Sequence, residues 1–262
     1  MELQNGRTIG CEIRRFDCLD STNTYTKQAA QDGAPEGLTV VADCQTAGRG
    51  RQDRFFQSAA GKGLYLSVLL RPDLPPEQLL PVTALAGVAV CDAVERVCGV
   101  RPGLKWPNDP VLGNRKLGGI LTELVVDAEQ RIALVLGIGI NVLQEIGDFS
   151  PEVAELATSL AMELCGPVDR VRLTETLLEE LDRMYGALKA GELTAYLASY
   201  RKDCVNLGRQ VRVLRGDAEE PGLAVDVDEN FCLMIRWADG REEIVHSGEV
   251  SVRGLYGYVD GT

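Results

Sequence analysis

The chain has 262 residues, 45% of them hydrophobic and 25% charged, which are the proportions of a soluble globular protein with a sizeable core. A formal net charge of −12 argues against a nucleic-acid surface, which presents a basic stripe, so no DNA partner is expected. The N-terminal stretch MELQNGRTIGCEIRRFD lacks the apolar segment of a secretory leader, and no run of about 18 apolar residues suggests a membrane span.

Cysteines fall at 11, 18, 44, 91, 98, 165, 204 and 232, without a CxxC pair, and the single histidine, His246, leaves little material for a zinc site. This usage fits reduced thiols in a cytoplasmic protein.

In chain order, residues 11–16 predict a first strand. DSTNTYTKQAAQDG follows as a helix, with Ser21 at its N-cap and Gly33 just past its end. GLTVVAD and GLYLSVLLRP are strand-like apolar runs bounded by Gly and Pro. PEQLLPVTALAGVAVCDAVERVCG is apolar nearly all round and reads as a buried helix ending at Gly99. A strand, a turn-rich loop and two long strands are expected across GLKWPNDPVLGNRKLGGILTELVVD and QRIALVLGIGINVL. From 151 to about 204 the pattern is helical, with Leu173, Leu177, Leu181, Met184 and Leu188 forming one stripe. From 206 onward short alternating strands and an Asp239-Gly240 hairpin signal predict a small all-β domain. The expected fold is α+β, with a catalytic domain over 1–205 and the β domain over 206–262.

Several familiar chemistries are excluded. There is no GxxxxGK phosphate loop and no GxSxG nucleophile elbow, and GIGIN continues with Val142 where a dinucleotide fingerprint needs glycine. Four segments remain.

In TAGRGRQDR, Arg49, Arg51 and Arg54 offer planar charged forks for phosphate or carboxylate. Gly48 and Gly50 allow close backbone approach to an anion, although the same residues also suit a solvated turn. KWPNDP holds Lys105, Asn108 and Asp109 between two prolines, either as a phosphate and metal corner or as a surface turn. In NRKLGGILTEL a continuous strand would put Lys116, Gly118, Ile120 and Thr122 on one face, with a bulge at the paired glycines. In GIGINV, Gly137, Gly139 and Asn141 face one way, leaving a nearly empty floor, while Ile138, Ile140 and Val142 face a core.

The combination of STN, QTAGRGR, KWPND, RKLGGIL and GIGIN, in this order, resembles the biotin–protein ligases. The resemblance runs from about residue 13 to the C-terminus. It implies a mixed β-sheet catalytic domain of the biotin/lipoate ligase type packed with helices, plus a small C-terminal SH3-like β-barrel. It implies two steps: biotin and ATP form biotinyl-5′-AMP, then a lysine of a biotin carboxyl carrier protein takes the biotinyl group. The cofactor set is biotin as substrate, ATP and Mg²⁺.

Residue by residue, the resemblance implies that Ser21, Thr22, Asn23 and Gln45 bind the biotin head group. Gly48, Arg49 and Arg51 close a loop over biotin and phosphate. Lys116, with Gly118 and Gly119, holds the carboxylate, and Lys116 and Arg51 are the catalytic pair. Arg54, Lys105, Asn108, Asp109, Asn141 and Arg253 serve ATP, with Asp109 also on Mg²⁺. A homodimer formed through a sheet edge is a further implied partner.

Two features depart from the family pattern. A core beginning near Ile13 leaves too little chain ahead of it for a winged helix domain, so a ligase-only form is expected. Asp53 stands where the family's loop has glycine, and it is expected on the outer, solvated side of the closed loop. The rival readings are a lipoate or octanoate ligase or transferase, and a degenerate biotin-binding regulatory protein.

Overall fold

The computed structural model describes residues 6–254 except 128, 130, 217 and 247–250; of Asp53, Ser251, Arg253 and Gly254 it describes the backbone alone. In chain order the first elements are β1 (Ile13–Phe16), α1 (Thr22–Gln31), β2 (Thr39–Ala42), β3 (Gly63–Leu70) and α2 (Val82–Cys98). Next come β4 (Gly103–Lys105), β5 (Asp109–Leu112), β6 (Arg115–Lys116), β7 (Gly118–Val126) and β8 (Ile132–Asn141). The helices α3 (Pro151–Ala154), α4 (Leu160–Leu164), α5 (Arg170–Ala190) and α6 (Thr194–Asp203) follow. The chain then forms β9 (Gln210–Arg215), β10 (Ala218–Val227), β11 (Leu233–Trp237), β12 (Glu242–Val245) and β13 (Ser251–Gly254).

The central sheet has the order β1-β2-β3-β8-β7, parallel between β1 and β2 and antiparallel elsewhere. Strand alternation divides β8 cleanly. Leu134, Leu136, Ile138 and Ile140 enter the main core with α2 and α5, joined there by the predicted stripe from Leu173 to Leu188. On the opposite face, Ala133 and Val135 pack with Ala29 and Ala30 of α1. Gly137, Gly139 and Asn141 continue that second face toward the cavity described below. One helix therefore covers half of this face, and the glycine half is left to line a site.

The segment Pro76–Cys98 is long and apolar enough to cross a membrane, but 72% of its apolar window is buried inside the fold. Its α-helical part ends at Gly99, which takes the left-handed conformation at φ 73°.

Lys116 departs from the expected continuous strand. It pairs with Val111 in the three-stranded sheet β4-β5-β6, whereas Gly118 pairs with Ile140 in the central sheet. Buried Leu117 is the crossing point, its N–H donating to Pro110 O at 2.9 Å and its carbonyl accepting from Asn141 N–H at 2.8 Å. The chain thus changes sheets between lysine and glycine.

The C-terminal strands form an antiparallel sheet of order β12-β11-β10-β9-β13, open between its two outer strands among the described residues. The Asp239-Gly240 turn joins β11 to β12, with Gly240 at φ 85°. Trp106 pins this sheet to the rest: its indole N–H donates to Phe231 O at 3.0 Å, and its backbone N–H to Asn206 Oδ1 at 2.7 Å.

Candidate active site

A cavity of about 550 Å³ opens over the glycine half of the central sheet. Its wall includes Arg49, Arg51, Arg54, Lys105, Lys116 and Arg212, with Asp109 the sole carboxylate among the described lining residues. In a chain of net charge −12, this concentration of cations marks an anion site.

One wall is neutral and polar. Thr22 donates both its backbone N–H and its hydroxyl to Gln45 Oε1, at 2.8 and 3.1 Å. Gln45 Nε2 donates to Ser58 Oγ at 2.9 Å. Ser67 Oγ lies 2.8 Å from Thr22 Oγ1 and 2.6 Å from Asn23 Oδ1. These buried partners hold their rotamers mutually, as a pre-organised recognition surface requires. Ser21 takes the extended N-cap conformation but its hydroxyl makes no capping bond, and the residue lines the cavity.

The network continues outward. Asn23 Nδ2 donates to Glu123 Oε2 at 2.8 Å, Lys27 Nζ reaches Glu123 Oε1 at 2.9 Å, and Arg49 stands 3.5 Å from the same oxygen. Burial pushes the Glu123 carboxyl up, but hydrogen bonds from Lys27 and Asn23 outweigh it and hold the carboxyl below its ordinary value.

The arginine segment is folded. Phe56 N–H donates to Gly48 O and Gly50 N–H to Arg54 O, at 2.9 and 2.7 Å, around a short 3₁₀ turn over Arg51–Asp53. The left-handed residue is Gln52 (φ 55°), one position before the Asp53 that replaces an expected glycine. The Asp53 side chain lies outside the described residues. Burial pulls the Arg51 guanidinium down and nearby Asp109 opposes it, but a guanidinium keeps its charge at neutral pH.

On the opposite wall, Lys105 and Asp109 pair across the β4-β5 hairpin. Lys116 Nζ lies 2.7 Å from Asp109 Oδ1. Sheet switching at Leu117 puts the lysine there, in the position that a continuous strand would have missed.

The expectations for the glycines need correction. Gly48 and Gly118 sit behind the wall: a Cβ on Gly48 would meet Phe56 O at 2.3 Å, and one on Gly118 would meet Gly139 O at 2.3 Å. They are glycines because backbones cross there. Asn108 and Asn141 line the cavity, yet Asn108 Nδ2 donates to Ile120 O at 2.8 Å and Asn141 Nδ2 to Thr158 O at 3.0 Å. Those amide donors brace the wall. The glycine floor is also not empty: a Cβ on Gly139 would meet the Phe56 ring at 2.7 Å, and one on Gly137 would meet Asn23 Oδ1 at 2.1 Å. Arg253 pairs in register with Arg212 through the backbone, and its side chain lies outside the described residues.

Sequence reading missed Ser58, Ser67, Phe56, Glu123 and Arg212. Arg212 alternates in RQVRVLR with the core residues Val211 and Val213, so the strand turns it away from its own core.

Fold and cavity together present a neutral polar wall and a cluster of cations over one face of a mixed sheet, the architecture of a ligase domain that joins an acid to a phosphate compound. The chain belongs to the biotin/lipoate A/B protein ligase family, whose model matches residues 15–141. It is 33% identical over 236 residues to the bifunctional ligase/repressor BirA of Bacillus subtilis, covering 90% of this chain and 73% of that one. Identity to the biotin–[acetyl-CoA-carboxylase] ligase of Mycobacterium tuberculosis is 36% over 239 residues, covering 88% of this chain and 85% of that one. The biotin protein ligase of Aquifex aeolicus, solved with biotin and ATP, superposes with a TM-score of 0.81 at 30% identity, covering 93% of this chain and 99% of that one.

Proposed function

We propose that the chain activates biotin with ATP and joins it to a lysine of a biotin carboxyl carrier protein. The observation that carries this reading is the cavity's polarity: a neutral Thr22–Gln45–Ser58 network in one wall, and six cations against the single carboxylate of Asp109 among the described lining residues. A biotin carboxylate oxygen attacks the α-phosphorus of ATP, a new P–O bond forms, and the bond to the β-phosphate breaks to release pyrophosphate. The carrier lysine then attacks the acyl carbon and AMP leaves.

Two anions must meet before the first bond forms, and fixed cations offset their repulsion. Lys116 and Arg51 serve the carboxylate and α-phosphate, Arg49 and Arg54 close over them, and Lys105 and Arg212 serve the outer phosphates. Ser21, Thr22, Asn23 and Gln45 hold the head group, while Asn108 and Asn141 shape the wall. Asp109 suits a magnesium ion that takes most of its ligands from phosphates and needs few protein carboxylates; when bound, the ion neutralises phosphate charge. Its pairing with Lys116 also orients the lysine.

Eight unpaired cysteines support a cytoplasmic setting. The exposed Leu124 and Val126 on β7, at the edge of the central sheet, support pairing with a second copy.

The test is biotin transfer to a carrier domain with its acceptor lysine intact, read with streptavidin. Labelling that needs ATP and disappears in a carrier whose acceptor lysine is changed to arginine supports the reading. No labelling of the intact carrier contradicts it.

A further inference from the structure

Cys18 and Cys44 stand side by side at the edge of the head-group wall. The parallel register that pairs Phe16 with Ala42 in β1 and β2 persists beyond both strands, pairing Leu19 with Gln45. Leu19 N–H donates to Cys44 O at 3.1 Å and Thr46 N–H to Leu19 O at 2.9 Å. That register places Cys18 directly opposite Cys44, and matched residues of a parallel pair project to the same face.

The neighbouring Cys18 thiol, with burial, pushes the Cys44 thiol above its ordinary range. Cys18 is exposed and Cys44 half-buried, and both are free thiols. Neighbouring strands run about 4.8 Å apart. Disulfides span Cα separations of roughly 4.4–6.8 Å, so closure needs little backbone movement.

We propose that Cys18 and Cys44 form a reversible disulfide, made by exchange with a small disulfide such as oxidised glutathione, that ties together the two segments of the head-group wall. The exposed Cys18 thiolate attacks one sulfur of oxidised glutathione and expels a glutathione thiolate. Cys44 then attacks Cys18 Sγ and expels the second. The protein loses two thiol protons and two electrons, and two glutathione thiols are formed.

One segment carries Cys18, Leu19, Ser21 and Thr22; the other carries Cys44 and Gln45, whose Oε1 receives both Thr22 donors. A covalent tie next to that contact restrains the wall from opening, so oxidation slows ligand release. This consequence rests on the proposed biotin site, whereas disulfide formation does not.

The test treats the whole protein with oxidised glutathione, blocks remaining thiols, and maps tryptic peptides. Cleavage after Arg15, Lys27 and Arg49 isolates Cys18 in peptide 16–27 and Cys44 in peptide 28–49, each with a single cysteine. The expected product is these two peptides joined, released by dithiothreitol, and absent from both Cys18→Ser and Cys44→Ser. Glutathione adducts alone, or links to other cysteines, would overturn the proposal. Biotin dissociation is then timed before and after oxidation. Release that slows in wild type but not in Cys18→Ser supports the tie, and joined peptides with unchanged release overturn its link to the pocket. Protein that fails to bind biotin when fully reduced counts against the biotin reading and leaves the peptide result standing.

Discussion

Lys116 Nζ lies 2.7 Å from Asp109 Oδ1 within the sheet β4-β5-β6, and only one residue separates Lys116 from β7 in the central sheet. The switch at Leu117 turns the lysine over the cavity and hands it to Asp109. Replacing Lys116 with Ala is expected to lower biotin-dependent pyrophosphate exchange by about 10²–10³-fold, the scale of losing one fixed charge at a developing anion. Asp109→Asn should lower the rate less and raise the ATP or Mg²⁺ requirement. Steady-state exchange kinetics at varied Mg²⁺ would check both.

The glycines around the cavity separate into two kinds. Gly118→Ala puts a Cβ 2.3 Å from a backbone oxygen, which cannot swing away, so a destabilisation of about 1–3 kcal/mol is expected in urea unfolding. Gly139→Ala meets first the Phe56 ring at 2.7 Å, and the ring can turn into the cavity. That variant should keep its fold and bind biotin more weakly, which calorimetry would show.

Much of this was legible in the sequence, and the reason is local periodicity. The alternation in IALVLGIGIN separates core from cavity face, and the α5 stripe from Leu173 to Leu188 is buried throughout. Contacts between distant segments have no such signature. Asn23 meets Glu123 across 100 residues, and nothing in either local pattern announces it. The expected strand through Lys116 failed for a related reason: period-two reading assumes one sheet, and Leu117 leaves one sheet for another. Asn108 and Asn141 were expected to serve ATP, and their bonds to Ile120 and Thr158 carbonyls could be seen only in three dimensions.

Trp106 couples the site hairpin to the C-terminal sheet through its indole bond to Phe231 O. Trp106→Phe keeps most of the apolar volume and leaves that carbonyl without its donor. An unmet buried acceptor costs about 1–3 kcal/mol, and a matching fall in unfolding free energy is expected.

Acid stability should show the hairpin between β7 and β8. Amides of Arg131 and Glu129, with the guanidiniums of Arg131 and Arg71, hold Asp127 at about 2 against the opposing effect of burial. Its folded value lies below the ordinary 3.8, so its contribution is fully present above about pH 4 and disappears as pH falls toward 2. Thermal midpoints of wild type should drop across that window. Asp127→Asn should be less stable at neutral pH and show a shallower drop below pH 4.

Arg212 reaches the cavity from the C-terminal sheet and also bonds Glu219 Oε1 at 3.0 Å. Arg212→Ala is expected to raise the KM for ATP several-fold, as loss of one charged phosphate contact does, while biotin affinity stays unchanged. Titrating each substrate separately distinguishes this from a general loss of structure.

The central claim is that this cavity activates biotin by adenylation. Exchange of labelled pyrophosphate into ATP measures that half-reaction without any carrier, with biotin, lipoate and octanoate assayed in parallel. Exchange that depends on biotin and stays at background with the other two acids is the predicted result. Exchange driven by lipoate or octanoate, or none with biotin, would contradict it.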